Sequence, residues 1–303
     1  MNPYEYKANN NDYDTELVKT ARMWQQYRVS FHSAHPTCYD ECKTVRGDYF
    51  KPRSASRSPL AILIHGLGDR SVLPLQALAR SLSRKGIACF ILYLVLHSSR
   101  MPPRPPGSLT SDEWFENYCI SVIDVRQVID WAETRAEIDP AQIGAVGISL
   151  GGFITAIAMG VDQRIKAGVM VASGGNLEKI AFMSKTLSRS WGFKRDEAKF
   201  NAQQQRYARY LDEVAAQGWE NVAAPENGFL IDAMTYARYL RNRPLLMINA
   251  RRDAVIPKQA TLDFWEASGR PPIAWLPGGH VSIWLWYPLI CRKISRFLHA
   301  SLP

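Results

Sequence analysis

This 303-residue chain has no long hydrophobic run, few cysteines and no block of like charge. Its longest apolar stretches, such as residues 86–96, reach strand length. They stop well short of the roughly 18 residues that a membrane-spanning helix needs. The opening Met1-Asn2-Pro3-Tyr4-Glu5 lacks the basic-then-apolar pattern of a secretory leader. Five cysteines (Cys38, Cys42, Cys89, Cys119 and Cys291) are odd in number and thinly spread, which is no disulfide framework. The expectation is a soluble protein without stable membrane insertion in a reducing, cytoplasmic setting. Acidic residues are in deficit, 28 against 37 basic ones, for a net charge of +9. No five basic residues are consecutive and no basic–aromatic pattern appears. The surplus therefore reads as a solubilising surface rather than a nucleic-acid site.

What is present suits a large core. Hydrophobic residues make up 47% of the chain and charged ones 21%, which excludes wholesale disorder. The length fits two domains or one large α/β domain. No repeat of roughly 20–50 residues is visible. Residues 1–57 are polar and aromatic and read as an N-terminal extension, with strand-like alternation at Tyr27-Arg28-Val29-Ser30-Phe31. Beyond them, Leu60-Ala61-Ile62-Leu63-Ile64 is a continuous apolar run that suits a strand buried on both faces. Residues 77–84 read as a helix and 87–96 as another strand. Four prolines within residues 101–107 force a loop. Thr110 and Glu113 then form a capping box ahead of a long amphipathic helix. Strands at 143–148 and 169–171 enclose a helix from Leu150 to Met159, with Gly160 at its expected end. This alternation predicts a mostly parallel central sheet flanked by helices, an α/β fold. Residues 175–240 interrupt it with helices expected at 177–187, 196–216 and 231–240, a helical insertion. The core, 58–174, resumes over 241–303 with strands at 244–249 and 273–276 and a final helix near 294–298.

Gly147-Ile148-Ser149-Leu150-Gly151 matches G-x-S-x-G where a buried strand ends and an apolar helix begins. The glycines permit a crowded, strained turn that presents the serine hydroxyl at a helix start, where a developing anion is favoured. A serine hydroxyl needs a base and a group to orient that base. Among six histidines, His280 follows Pro277-Gly278-Gly279, a loop between a strand and the last helix, and is the better candidate over His97. Asp253, just past the strand at 244–249, is the expected third member. Asp232 and Asp263 are rivals that fall within expected helices. The order Ser149, Asp253, His280 differs from the chymotrypsin and subtilisin orders. Oxyanion donors are expected at the backbone N–H of Leu150 and in the turn His65-Gly66-Leu67-Gly68-Asp69, at Leu67 or alternatively Gly68. His65 itself reads as structural.

These four motifs together, Ile64 to Asp69, Gly147 to Gly152, Asp253 to Pro257 and Gly278-Gly279-His280, resemble the α/β-hydrolase fold family over roughly residues 59–302. The general look is similar to its carboxylesterase and dienelactone-hydrolase-like branch. Dienelactone hydrolases use a cysteine where this chain has Ser149, which points toward ordinary ester hydrolysis. The resemblance implies a helical cap, a role that residues 175–240 would fill. It also implies no metal and no organic cofactor.

The expected activity is therefore cleavage of a small-molecule carboxylic ester of short to medium acyl length through an acyl-enzyme. A thioesterase or lipase using the same triad, or a non-catalytic binding protein of the same fold, are the alternatives. His97 and Arg100, with Arg104, follow the end of a strand, where ligands bind in open α/β sheets, and could recognise an anionic substrate group or simply line a solvated proline loop. Trp191, Trp219, Tyr207, Tyr210 and Tyr236 in the insertion could line an acyl pocket or form the insertion's own core. His32, His35, Cys38 and Cys42 carry zinc-ligating atoms, but their spacing fits no standard finger.

Overall fold

Alternate residues of the strand Ser58–Ile64 enter two different cores. Leu60, Ile62 and Ile64 belong to one, and Ala61 and Leu63 to the other. Side chains along a strand alternate in direction, so an apolar residue at every position requires cover on both faces. The computed structural model describes residues 2–8, 12–53, 57–68, 72–103, 109–184, 186–187 and 196–302. It holds one nine-stranded sheet: β1 Tyr13–Thr20, β2 Trp24–His32, β3 Thr44–Pro52, β4 Ser58–Ile64, β5 Ala88–Leu92, β6 Ile138–Ile148, β7 Ile165–Val171, β8 Leu245–Ala250 and β9 Ile273–Leu276. Their order is β1-β2-β3-β5-β4-β6-β7-β8-β9. The six strands from β5 to β9 are mutually parallel, so the loops that leave β4, β6, β8 and β9 share one edge of the sheet.

The helices are α1 Leu73–Ser83, α2 Ser111–Glu133, α3 Leu150–Val161, α4 Leu177–Met183, α5 Glu197–Gln217, α6 Asn227–Leu230, α7 Ala233–Ala237, α8 Lys258–Ala267 and α9 Tyr287–Ser301. α1 and α9 cover one face through Leu75, Leu78, Ile290 and Ile294. α2, α3 and the helices between β7 and β8 cover the other. The capping box at α2 is present: Thr110 Oγ1 accepts from the Glu113 amide at 3.2 Å, and Glu113 accepts from the Thr110 amide at 2.7 Å.

Residues 13–52 add more than the one strand that their alternation suggested. β1, β2 and β3 form an antiparallel meander, and β3 pairs with β5 to continue the same sheet. The segment 2–8 reaches across to the helical insertion. Tyr4 is fully buried, its ring lying edge-on to Trp219 and Tyr236 and its hydroxyl donating to the Leu230 carbonyl at 2.7 Å. Tyr207, Tyr210, Trp219 and Tyr236 are themselves buried, in the same core as α2, α3 and one face of the sheet. Trp191 lies outside the described residues.

Several boundaries differ from the periodicity for local reasons. α3 ends at Val161, one residue past Gly160, where a Cβ would come within 2.5 Å of Tyr236. The helix expected at 231–240 starts at Ala233, because the Asp232 carboxylate caps α7 through the Met234 amide, and its last turn, Arg238–Leu240, tightens to 3-10. β5 ends at Leu92 instead of near 96 because the chain turns sharply, with Leu96 and Ser98 at positive φ.

That turn serves Arg100, which corrects its reading as a substrate-recognition residue. Its side chain is fully buried and bonded to Asp124 at 2.6 Å, to the Tyr93 carbonyl at 2.9 Å and to the Cys42 carbonyl at 2.8 Å. It has no surface left to meet a ligand. Burial pushes the Asp124 carboxyl up, and Arg100 and Ser33 draw it back. Arg104 lies outside the described residues. Removing one partner of such a pair leaves an uncompensated buried charge. Asp124→Ala should cost about 3–5 kcal/mol of stability, read as a lowered urea midpoint with an unchanged slope.

Candidate active site

Ser149 stands between β6 and α3 with φ 50° and ψ −112°, a left-handed conformation that is strained for a non-glycine residue. Its amide donates to the Val171 carbonyl of β7 at 2.8 Å, which fixes the turn against the neighbouring strand. The flanking glycines are steric requirements. A Cβ on Gly147 would lie 1.9 Å from the Gly151 carbonyl oxygen, and one on Gly151 would lie 2.3 Å from that of Ile64. The hydroxyl thus sits at the first turn of a helix whose leading N–H groups have no intrahelical partner.

The loops after β8 and β9 bring the other two residues to it. Ser149 Oγ lies 3.0 Å from His280 Nε2, and His280 Nδ1 lies 2.8 Å from Asp253 Oδ2. The second Asp253 oxygen accepts the Val255 and Ile256 amides, each at 2.8 Å, so the carboxylate is held from both sides. The two loops are tied together where the Arg252 amide donates to the Gly278 carbonyl at 3.0 Å. Gly278 turns the chain at φ 111°, and the Gly279 amide donates to Ser282 Oγ at 2.8 Å. With Nδ1–H donating to the carboxylate, Nε2 is left as an acceptor. The arrangement can therefore draw a proton from the serine hydroxyl and stabilise the imidazolium that forms.

Neither rival aspartate reaches His280. Asp232 accepts the Asn176, Leu177 and Met234 amides, and Asp263 pairs with Lys179 and Gln259. Among the described residues no three His, Cys, Asp or Glu side chains are arranged to hold a metal ion. Cys42 is buried, with its thiol directed at the Arg100 carbonyl, and Cys38 is exposed.

The turn after β4 passes beside the start of α3, because the Ile64 and His65 carbonyls are the groups that crowd Gly151. Within it the Gly68 amide is already used: it donates to His97 Nε2 at 2.9 Å, while His97 Nδ1 faces the Val95 carbonyl at 2.8 Å. Of the two expected donors in this turn, Leu67 is the one whose amide is not committed to His97. His97 is buried, so the structure gives it the task of holding this turn rather than facing a bulky substrate. Sequence reasoning missed that task. Its signal was a histidine just past the strand adjacent to the one carrying His65.

His65 makes the same pair of contacts one strand over. Its Nε2 accepts the Leu94 amide at 3.1 Å, and its Nδ1 faces the Gly66 carbonyl at 2.9 Å. Its ring packs against that of His97, with centroids 4.9 Å apart.

The alpha/beta hydrolase family model matches residues 61–288. A Bacillus subtilis protein named as a candidate esterase, YitV, is 24% identical over 208 residues, covering 69% of this chain and 73% of that protein. An uncharacterized Mycobacterium tuberculosis protein is 21% identical over 182 residues. The match covers 60% of this chain but only 37% of the mycobacterial protein's length. Among solved structures, the acetyl xylan esterase from Paenibacillus sp. R4 superposes with a TM-score of 0.65 at 19% identity, covering 96% of this chain and 89% of that one. A cold-adapted esterase from an Arctic intertidal metagenomic library gives 0.58 at 16% identity, covering 98% and 100%.

The buried His65 yields a test by titration. Burial is the main reason its pKa falls to about 4. An unfolded histidine titrates near 6.5, so between these values the unfolded chain binds a proton that the folded one refuses. Stability is then present above about pH 6.5 and lost as pH falls toward 4, by about 3 kcal/mol at most. His65→Asn should flatten that part of the curve relative to the parent in urea denaturation across this range.

Proposed function

The chain belongs to the alpha/beta hydrolase family, and from that premise we propose that it hydrolyses carboxylic esters of short to medium acyl length through a covalent acyl-enzyme. The observation that carries the reading is the continuous chain of hydrogen bonds from Asp253 through His280 to Ser149, ending on a serine in a strained turn at a helix start. Ser149 Oγ attacks the ester carbonyl as His280 Nε2 takes its proton. Asp253 holds the imidazole in the correct tautomer and stabilises its positive charge. The carbonyl oxygen becomes an oxyanion bound by the Leu150 and Leu67 amides, each worth about 2.7–4 kcal/mol to such a transition state. Collapse expels the alcohol, which receives the proton from His280. Water activated by the same imidazole then attacks the acyl-enzyme and releases the acid. The chemistry needs no metal and no organic cofactor.

The names of two relatives support an ester as substrate, since an acetyl xylan esterase and a cold-adapted esterase share the fold. Residues 175–240 act in this reading as a cap. Among the described residues, Ser184 touches the site, its hydroxyl donating to the Ala254 carbonyl at 3.0 Å, one residue from Asp253. The five unpaired cysteines support a reducing, cytoplasmic setting.

p-Nitrophenyl esters from acetate to palmitate test the proposal. Turnover should be greatest on the shorter chains. It should fall on the order of 10⁴-fold or more in Ser149→Ala and about 10⁴-fold in Asp253→Asn. A fluorophosphonate should label the parent protein and not Ser149→Ala. Absence of both turnover and labelling in folded protein would sink the esterase reading.

A further inference from the structure

We propose that the face made by α1 and α9, next to His280, docks the protein reversibly onto an anionic phospholipid surface. The helix α9 and the turn before it bury a regular stripe, Ile283, Ile290, Ile294 and Leu298, each 2% exposed or less. The opposite stripe should be polar by the ordinary logic of an amphipathic helix. Instead Val281 is 78% exposed and Leu285 84%, with Trp286 and Leu289 also exposed. Leu73, at the first turn of α1, is 65% exposed. It adjoins them, because the Tyr287 hydroxyl donates to the Pro74 carbonyl at 2.6 Å. Single exposed leucines are normal on a protein surface, whereas a contiguous group of them with a tryptophan marks a contact surface.

The other end of the same face is basic. Leu289, Arg292 and Arg296 are spaced three and four residues apart, which puts them on one side of α9, and Leu285 lies in the turn just before it. Arg292 and Arg296 are exposed, as are Arg84 and Lys85 at the end of α1. Lys85 Nζ donates to Ser295 Oγ at 2.9 Å, so the basic ends of α1 and α9 lie together just as their apolar ends do. No acidic residue relieves this charge from within either segment: none follows Glu266, and none lies between Asp69 and Asp112.

An apolar and aromatic end adjoining a cationic end is the pattern by which a protein lies in a lipid interface. The leucines and tryptophan enter the boundary of headgroups and acyl chains, and the arginines and lysine meet phosphates. A second copy of this chain fits less well, because neither segment offers a carboxylate to the arginines and lysine of the other. Docking this way puts Val281 against the lipid and its neighbour His280 at the interface. The docking itself does not depend on the ester-hydrolysis reading, although that reading would make lipid-borne or lipid-dissolved esters the accessible substrates.

Flotation with vesicles tests the proposal, using phosphatidylcholine alone and phosphatidylcholine mixed with phosphatidylserine, for the full chain and for Ser149→Ala. Both proteins should float with the anionic vesicles, less so as salt is raised, and much less with neutral ones. Leu285→Glu and the pair Arg292→Glu/Arg296→Glu should each reduce flotation about tenfold or more. The arginine pair should retain the parent's activity on a soluble ester and its melting temperature, which separates lost docking from lost folding. Failure to float with either vesicle would overturn the proposal, as would flotation indifferent to these substitutions. A dimer in sedimentation velocity that Leu285→Glu splits would also overturn it, by showing that a second copy covers this face. Should the ester reading fail, flotation of the parent protein and of Ser149→Ala would be unaffected.

Discussion

The helix that follows Ser149 approaches the sheet more closely than a methyl group would permit. Gly147 and Gly151 face each other across the turn, and Gly151 touches the carbonyls that end β4. A Cβ on Gly152 would lie 2.5 Å from Ser173. This clearance lets α3 start directly at the end of β6, and the short start forces Ser149 to its positive φ. The turn after β4 can lie beside the first amides of α3 for the same reason. Strain of this kind, of order 1–3 kcal/mol, persists only where surrounding contacts over-determine it. Here those contacts are the bond from the Ser149 amide to Val171 and the apolar packing of α3 on β7.

Around this fixed point, the site is organised by backbone groups more than by side-chain pairs. Asp253 is oriented by two amides, and His280 by the Asp253 carboxylate. The turn after β4 is held through His97, and His65 holds the one after β5. Each of these two histidines accepts an amide at Nε2 and faces a carbonyl with Nδ1, which is possible only for the neutral Nδ1–H tautomer. Arg100 stabilises the same region from beneath, binding the Tyr93 carbonyl while Asp124 neutralises it. The loops that carry the candidate chemistry are therefore pinned one to another rather than left as independent excursions from the sheet.

The parallel sheet was readable because its strands are apolar on both faces and glycine or proline marks their ends. The meeting of Ser149, Asp253 and His280 was readable for a related reason, each following closely on the end of a strand. Arg100 was not, since its meaning lies in Asp124, twenty-four residues away on a helix. Nothing in the local pattern says that an arginine in a proline-rich stretch points inward. β1 escaped notice because it is an edge strand and mostly exposed, so its polar residues lack the alternation that burial imposes. The docking of Tyr4 depends on a partner 226 residues along the chain, beyond the reach of any periodicity.

That last contact also sets an order in time. As the chain is synthesised, Tyr4 emerges long before residues 219–236, which build its socket, and contacts of such wide separation form late. The socket for Tyr4 therefore exists only after residues 219–236 have emerged and packed. The accessibility of this one aromatic ring records whether the insertion has reached its native packing.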